Sequence, residues 1–504
     1  MANLYDVLRA RAPSDRSRPF AVLGDGRTFT YEDIEDQSAR YAEALRQCGV
    51  AVGDRVAVQA PKCIEMLMLY LGCLRAGAIF LPLNTAYTAG EIDYFLRDAE
   101  PALFVCDAAQ IDAAKSVAEG AGVPRVETLD EIGGGTLSQR AAAGSGHFDT
   151  VACDDSAIAS ILYTSGTTGR SKGAMLSHGN LASNALTLAD YWRFSSNDVL
   201  LHALPIFHTH GLFVGTNVTL AAGASMLFLP RFDPREIIAL LPKATVMMGV
   251  PTFYIRLLAE IAFDRALVAN MRLFISGSAP LSADIHREFR ERTGHAILER
   301  YGMTETNMNT SNPYDGDRRA GTVGLPLPGV EIHIANPETG ASLPQGEVGV
   351  IEISGPNVFG GYWRMPEKTA QEFRNGRFIS GDLGLIDEQG YVSIVGRAKD
   401  LIIAGGYNIY PAEVETALDE LPEVHESAVI GVPHPDLGEG VVAVVVPRDP
   451  AFGDSAALTA ALAGKLARFK QPRHIAFTPE LPKNTMGKVQ KNVLRDQLAG
   501  VFTK

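Results

Sequence analysis

Between about Tyr31 and Val105, apolar residues fall at helical spacing in stretches such as IEMLMLYLGCLRAG, then collect into short unbroken runs such as AIFLPL. A 3.6-residue period followed by a fully apolar run predicts a helix packed on a buried strand, and its repetition predicts layered α/β structure. The same unit recurs downstream. ASILY precedes a glycine-rich loop, TVMMGV precedes PTFYIRLLAEIA, and MRLFI precedes SGSAPLS, each predicting strand, loop, then helix. Open α/β sheets gather ligands at the carboxyl ends of their strands, so these junctions are the first places to look for chemistry. From about residue 321 to 397 the texture shifts to short alternating segments with turn signals (GEVGVIEISG, GYVSIVGR), which predicts a smaller β-rich subdomain. Beyond Asp400, the segments PAEVETALDELP, ESAVIGVP, VVAVVVP and KLARFKQPRHIAF predict a separate compact α+β unit of about 100 residues.

A chain of 504 residues at roughly 150 per unit allows about three compact bodies. With 46% hydrophobic and 20% charged residues, it has the balance of a folded globular protein. The net charge of -13 argues against a general nucleic-acid binder, so an anionic ligand must meet a local cluster of cations. Five scattered cysteines without CxxC spacing fit neither a disulfide framework nor a zinc site, which points to a reducing compartment. The start MANLYDVLRARAPSD does not read as a signal peptide, and no run reaches the ~18 apolar residues of a membrane helix. Cytoplasmic residence without a membrane or nucleic-acid partner is the expectation.

From Tyr163 to Ala174 the chain reads YTSGTTGRSKGA. Glycines that admit backbone N–H groups, hydroxyls that donate, and the cations Arg170 and Lys172 suit such a loop to phosphate. It does not spell the Walker A pattern, so kinase or NTPase chemistry is not the natural reading.

This loop resembles the phosphate loop of the acyl-adenylate-forming superfamily of acyl-CoA synthetases, luciferases and adenylation domains. Further motifs follow in the family's order: FHTHG at Phe207, SGSAP at Ser276, ERYGMTET at Glu299, SGD ending at Asp382, GRAKD at Gly396, and PKNTMGK ending at Lys488. Together they span most of the chain. The resemblance implies a large N-terminal AMP-binding domain over 1–398, containing the β-rich subdomain, and a small mobile C-terminal domain over 399–504 that swings about Lys399. It implies ATP and coenzyme A as co-substrates and Mg2+ held by Thr164 and Glu305. ATP or AMP contacts fall to Thr164, Ser165, Gly166, Thr167, Thr168, Gly169, Arg170, Lys172, Ser278, Ala279, Pro280, Glu299, Tyr301, Gly302, Thr304, Asp382 and Arg397. Lys488 becomes the cation for adenylation, and Gly405 and Gly406 line the thiol's approach after rotation. Taken singly, Tyr301 also reads as core, Asp382 as a turn former, Glu305 as a helix N-terminal carboxylate, and Lys488 as a solvated lysine. A regulatory lysine acetyltransferase acting on Lys488 would remove its charge.

Many relatives have glycine where this chain has Arg300. A guanidinium there directs donors toward the acid pocket and favours a substrate with a second carboxylate. The stretches ERYGMTETNMNTS, FHTHGL and PTFYIRLL resemble malonyl-CoA synthetases, which implies malonate, with methylmalonate tolerated. Arg256, Ser278 and His208 are the expected helpers, with Met308 and Thr209 setting pocket size. Another small acid, or transfer to a carrier protein, is the alternative. An ion pair between Arg300 and Glu305 is the purely structural alternative for the arginine.

Overall fold

The structure, a computed structural model, describes residues 3–164, 171–404, 407–463, 465–484 and 487–502. Two of its helices begin at reciprocal caps that the sequence supplies. Thr30 and Asp33 form a reciprocal capping box at the start of Tyr31–Gln47, and Thr88 and Glu91 do the same for Ala89–Ala99. Helix Ile64–Ala76 is apolar around most of its circumference and correspondingly buried; Leu67, Met68, Leu69 and Leu74 are fully enclosed. Each such side chain contributes about 1.5–3 kcal/mol of transfer free energy. The helix stops at Gly77, whose φ of 69° places it in the left-handed region.

Two large sheets share one apolar core with this helix and with helix His178–Tyr191 between them. The first runs in the order 126–128, 103–106, 55–59, 79–82, 158–164, 172–177, parallel throughout except for its last strand. The second has nine strands, with parallel Val199–His202, Val246–Gly249, Leu273–Ser276 and Leu298–Met303 at its centre. A β-rich layer follows, formed by strands Glu331–Ala335, Gly349–Ser354, Phe373–Arg374, Arg377–Ile386 and Val392–Arg397. Strands between Ile402 and Phe477, with helices Pro411–Asp419, Ser455–Ala463 and Lys491–Leu498, build the C-terminal unit around its own apolar clusters.

Two local expectations are corrected. The phosphate-type loop does not lead from strand to helix. It joins strand Ile158–Thr164 to the antiparallel strand Lys172–Ser177, and the helix begins only at His178. Nor does Glu305 start a helix. Leu298–Met303 turns back through 304–306 into Asn307–Ser311, because Thr306, Asn307 and Asn309 take hairpin and side-chain bonds in place of a helical ladder.

Candidate active site

Residues just past the carboxyl ends of the central parallel strands meet side chains from the β-rich layer in a few polar clusters. At the phosphate end, Thr164 Oγ1 lies 3.5 Å from Glu305 Oε1, and the Tyr362 hydroxyl donates to the same oxygen at 3.0 Å. Burial raises the Glu305 carboxyl above its usual range, so a nearby positive charge is what would hold it ionised. Lys172 sits 3.4 Å from Glu372 with its ammonium 4.2 Å above the Tyr362 ring. Ser165, Gly166, Thr167, Thr168, Gly169 and Arg170 lie outside the described residues.

A second cluster joins three motifs distant in the chain. Asp382 accepts from the Tyr301 hydroxyl at 2.6 Å and from Arg397 Nε at 2.9 Å, and antiparallel pairing sets Asp382 opposite Arg397. The charge of Asp382 raises the Arg397 pKa, and burial drives that of Tyr301 well up. Ser278, at φ 71°, holds the strained left-handed conformation that binding sites tend to store, followed by Ala279 and Pro280. Gly302 is required by close packing: a Cβ there would stand 2.1 Å from the Asn307 carbonyl and 2.4 Å from the Met308 methyl. Met308 is buried, while Thr304 stays partly open in the turn. Glu299 is buried with Oε1 unpartnered, and desolvation pushes its carboxyl up to about 8.

The third cluster is the most unusual energetically. Arg300 is 3% exposed, and its Nε and Nη2 have no hydrogen-bond partner. Around it, His208 Nδ1, Thr209 Oγ1, His210 Nε2 and Ser276 Oγ are likewise buried and unpartnered. Native interiors rarely leave such groups unsatisfied, at about 1–3 kcal/mol each and more for a charge. Burial lowers Arg300 to about 9, still a cation at neutral pH, and burial together with the charges of Lys488 and Arg300 pushes His208 down to about 3. The ion pair with Glu305 is absent among the described residues: Glu305 turns to Thr164 and Tyr362 instead. What remains is a buried, positively charged cluster in which Arg300 Nε and Nη2 meet no acceptor among the described residues.

Lys488 reaches the cleft from the C-terminal unit. Desolvation among the surrounding charged groups, followed by repulsion from Arg397, lowers its pKa. Asp382, Glu305 and Arg300 also act on it electrostatically, so each of the three clusters contributes to its field. Thr252 lies 3.5 Å from the Cβ position of the adjacent Gly487, so helix Pro251–Leu258 abuts this loop. Lys399 occupies a single 3-10 turn, Ala398–Asp400, and Arg495 clasps Asp400 at 2.6 Å; Gly405 and Gly406 lie outside the described residues.

Arg256 is not part of the buried set. Tyr254, Leu257 and Leu258 take the inward positions of its helix, which leaves Arg256 exposed one turn beyond Thr252. Sequence reasoning missed His210, which contacts Ser278 Oγ at 3.2 Å, and also Ser276, Tyr362 and Glu372. Two histidines spaced i, i+2 in FHTHG were the available signal for His210. Residues 210–216 form a π-helix, a widened turn frequent at functional sites, and nothing in the residue pattern announces it.

Comparison with known proteins places these clusters in context. The AMP-binding enzyme family matches residues 8–363, and the AMP-binding enzyme C-terminal domain matches 413–488. A feruloyl-CoA synthase of Amycolatopsis sp is 36% identical over 97% of this chain and 98% of its own length. A malonate--CoA ligase of Arabidopsis thaliana is 32% identical over 98% and 89%. The crystal structure of ATP-bound MatB from Rhodopseudomonas palustris is 56% identical, covers 100% of both chains, and superposes with a TM-score of 0.97; the apo form of that protein gives 0.86.

Proposed function

The chain belongs to the AMP-binding enzyme family, and from that premise we propose that it is an ATP-dependent malonate:CoA ligase that also accepts methylmalonate. One malonate carboxylate attacks the α-phosphorus of ATP, diphosphate departs, and malonyl-AMP forms. The CoA thiol, losing its proton, then attacks the acyl carbon, and AMP leaves with the bonding pair.

The observation that carries the substrate assignment is the unpartnered Nε and Nη2 edge of Arg300. Two parallel donors on one guanidinium edge match a single carboxylate, and the reacting carboxylate is needed elsewhere, so the natural guest has two. An acid with a methyl group in place of the second carboxylate would leave this buried cation uncompensated. Ser278, His208 and Met308 complete the pocket wall, and Thr209 limits its width. Arg256, exposed at the rim, is kept as a contact only for the approach of the acid.

Asp382 and Tyr301 suit the ribose and base of the nucleotide, with Arg397 toward the phosphate. The Ser278-Ala279-Pro280 segment, Glu299, Gly302 and Thr304 border the base, and Lys172 exchanges Glu372 for phosphate. Thr164 and Glu305 fit Mg2+, a hard cation that takes one carboxylate and a hydroxyl alongside phosphates and water. Bound there, Mg2+ would neutralise phosphate charge. Lys488 supplies the cation that meets the charge developing on the α-phosphate. The closer likeness to the ATP-bound than to the apo relative supports an adenylation posture of the C-terminal unit. Domains over 1–398 and 399–504, with Lys399 as hinge and Gly405 and Gly406 facing the thioester step, are part of this reading. An acetyltransferase that reached the exposed Lys488 would silence the first half-reaction. The described cysteines are all free, which supports the cytoplasm as its compartment.

The test is one assay: purified protein, Mg-ATP and CoA against acetate, propionate, malonate, methylmalonate and succinate, reading AMP and thioester. Malonate should lead and methylmalonate follow. Equal turnover of acetate and malonate would overturn the assignment.

A further inference from the structure

Parallel pairing of Ser276 with Glu299 sets Gly277, the first residue past its strand, beside Arg300 of the adjacent strand. The arginine uses the vacancy. A Cβ on Gly277 would stand 2.4 Å from the Arg300 Cζ, 2.5 Å from Nη1 and 2.6 Å from Nε, so the guanidinium lies against the glycine's α-carbon. Its position is set from that side by contact alone, since Nε and Nη2 have no hydrogen-bond partner to anchor them. The backbone behind is itself fixed, with Gly277 N–H donating to the Gly249 carbonyl at 3.3 Å. Gly277 is not left-handed, so an alanine there carries no backbone strain.

We propose that Gly277 is a specificity-determining positioning residue: its missing side chain forms the back wall that sets where the Arg300 fork meets the distal carboxylate. The inference rests on the diacid reading above. Because the atoms a methyl would strike are the far end of a flexible side chain, the fold of Gly277→Ala is preserved and the guanidinium moves. A bidentate pair depends on placement, so the loss falls on the diacid while nucleotide binding is untouched.

The experiment measures kcat and KM for malonate, propionate and ATP in wild type, Gly277→Ala, Arg300→Ala and the double variant, together with Tm. In Gly277→Ala, KM for malonate should rise about tenfold or more, and the malonate-to-propionate ratio of kcat/KM should fall by about as much, with KM for ATP within about twofold. The double variant should be no worse than Arg300→Ala, because the three atoms nearest the methyl are then removed; were Gly277→Ala to fold poorly, the double variant should regain the lost Tm. The proposal is overturned if the two substitutions add, if Gly277→Ala keeps wild-type selectivity, or if it weakens ATP and all acids alike. If Arg300→Ala itself leaves malonate selectivity intact, the diacid reading fails first.

Discussion

Replacing Arg300 by alanine removes a buried cation that has no counter-ion among the described residues. In the complex it would contribute two charge-assisted bonds, from Nε and Nη2, to one carboxylate. At about 1.5–3 kcal/mol each these sum to about 3–6 kcal/mol, which at about 1.4 kcal/mol per decade is a 100- to 10,000-fold loss in kcat/KM for malonate. Propionate never engages that edge and gains from removal of an unpaired buried charge, so its kcat/KM should hold or rise. Initial rates of AMP release with both acids, at saturating Mg-ATP and CoA, measure the two effects side by side. A parallel loss for both acids would place Arg300 in the chemistry common to all substrates, and an unchanged rate with malonate would remove it from the site.

Lys488→Ala should cut adenylation by about 100-fold or more yet spare thioester formation from supplied malonyl-AMP; equal loss in both half-reactions would refute its separate role. Glu305→Gln should raise the half-saturating Mg2+ concentration by about tenfold, read as Mg2+-dependent ATP binding, and an unchanged Mg2+ dependence would exclude it as a ligand. The raised Glu299 carboxyl makes a stability prediction. The folded state keeps the proton from about 4.5 up to about 8 while the unfolded chain releases it, so stability falls as pH rises through that window. Glu299→Gln lacks this slope, and its Tm advantage over wild type should grow between pH 5 and pH 8.5; a constant difference would mean that Glu299 titrates normally.

The chemical motifs were legible in the sequence because they are local. Tyr301, Asp382 and Arg397 stand alone in three segments, and the order of those segments sufficed to expect one site, which the 2.6 and 2.9 Å contacts assemble. Arg300 stood out because a cation occupies a position that glycine holds in many relatives. What stayed hidden depends on three-dimensional register. Gly277 matters only because strand pairing sets it beside Arg300, and Tyr362 and Glu372 reach the phosphate end from the β-rich layer. The strand-to-helix expectation for the glycine-rich loop failed because Lys172–Ser177 carries its apolar positions as an edge strand before the capping serine starts the helix. Arg256 was drawn toward the pocket by a motif, whereas the 3.6-residue period of its own helix sends it outward.

In the proposed reaction a malonate oxygen attacks the α-phosphorus while Arg300 grips the other end of the acid. Turnover of malonate labelled with oxygen-18 in both carboxyl groups, with Mg-ATP and CoA, followed by mass spectrometry of the nucleotide, reads that step directly. That attack puts one labelled oxygen in each AMP and none in diphosphate. Label in inorganic phosphate with ADP as product, or unlabelled AMP, would contradict it.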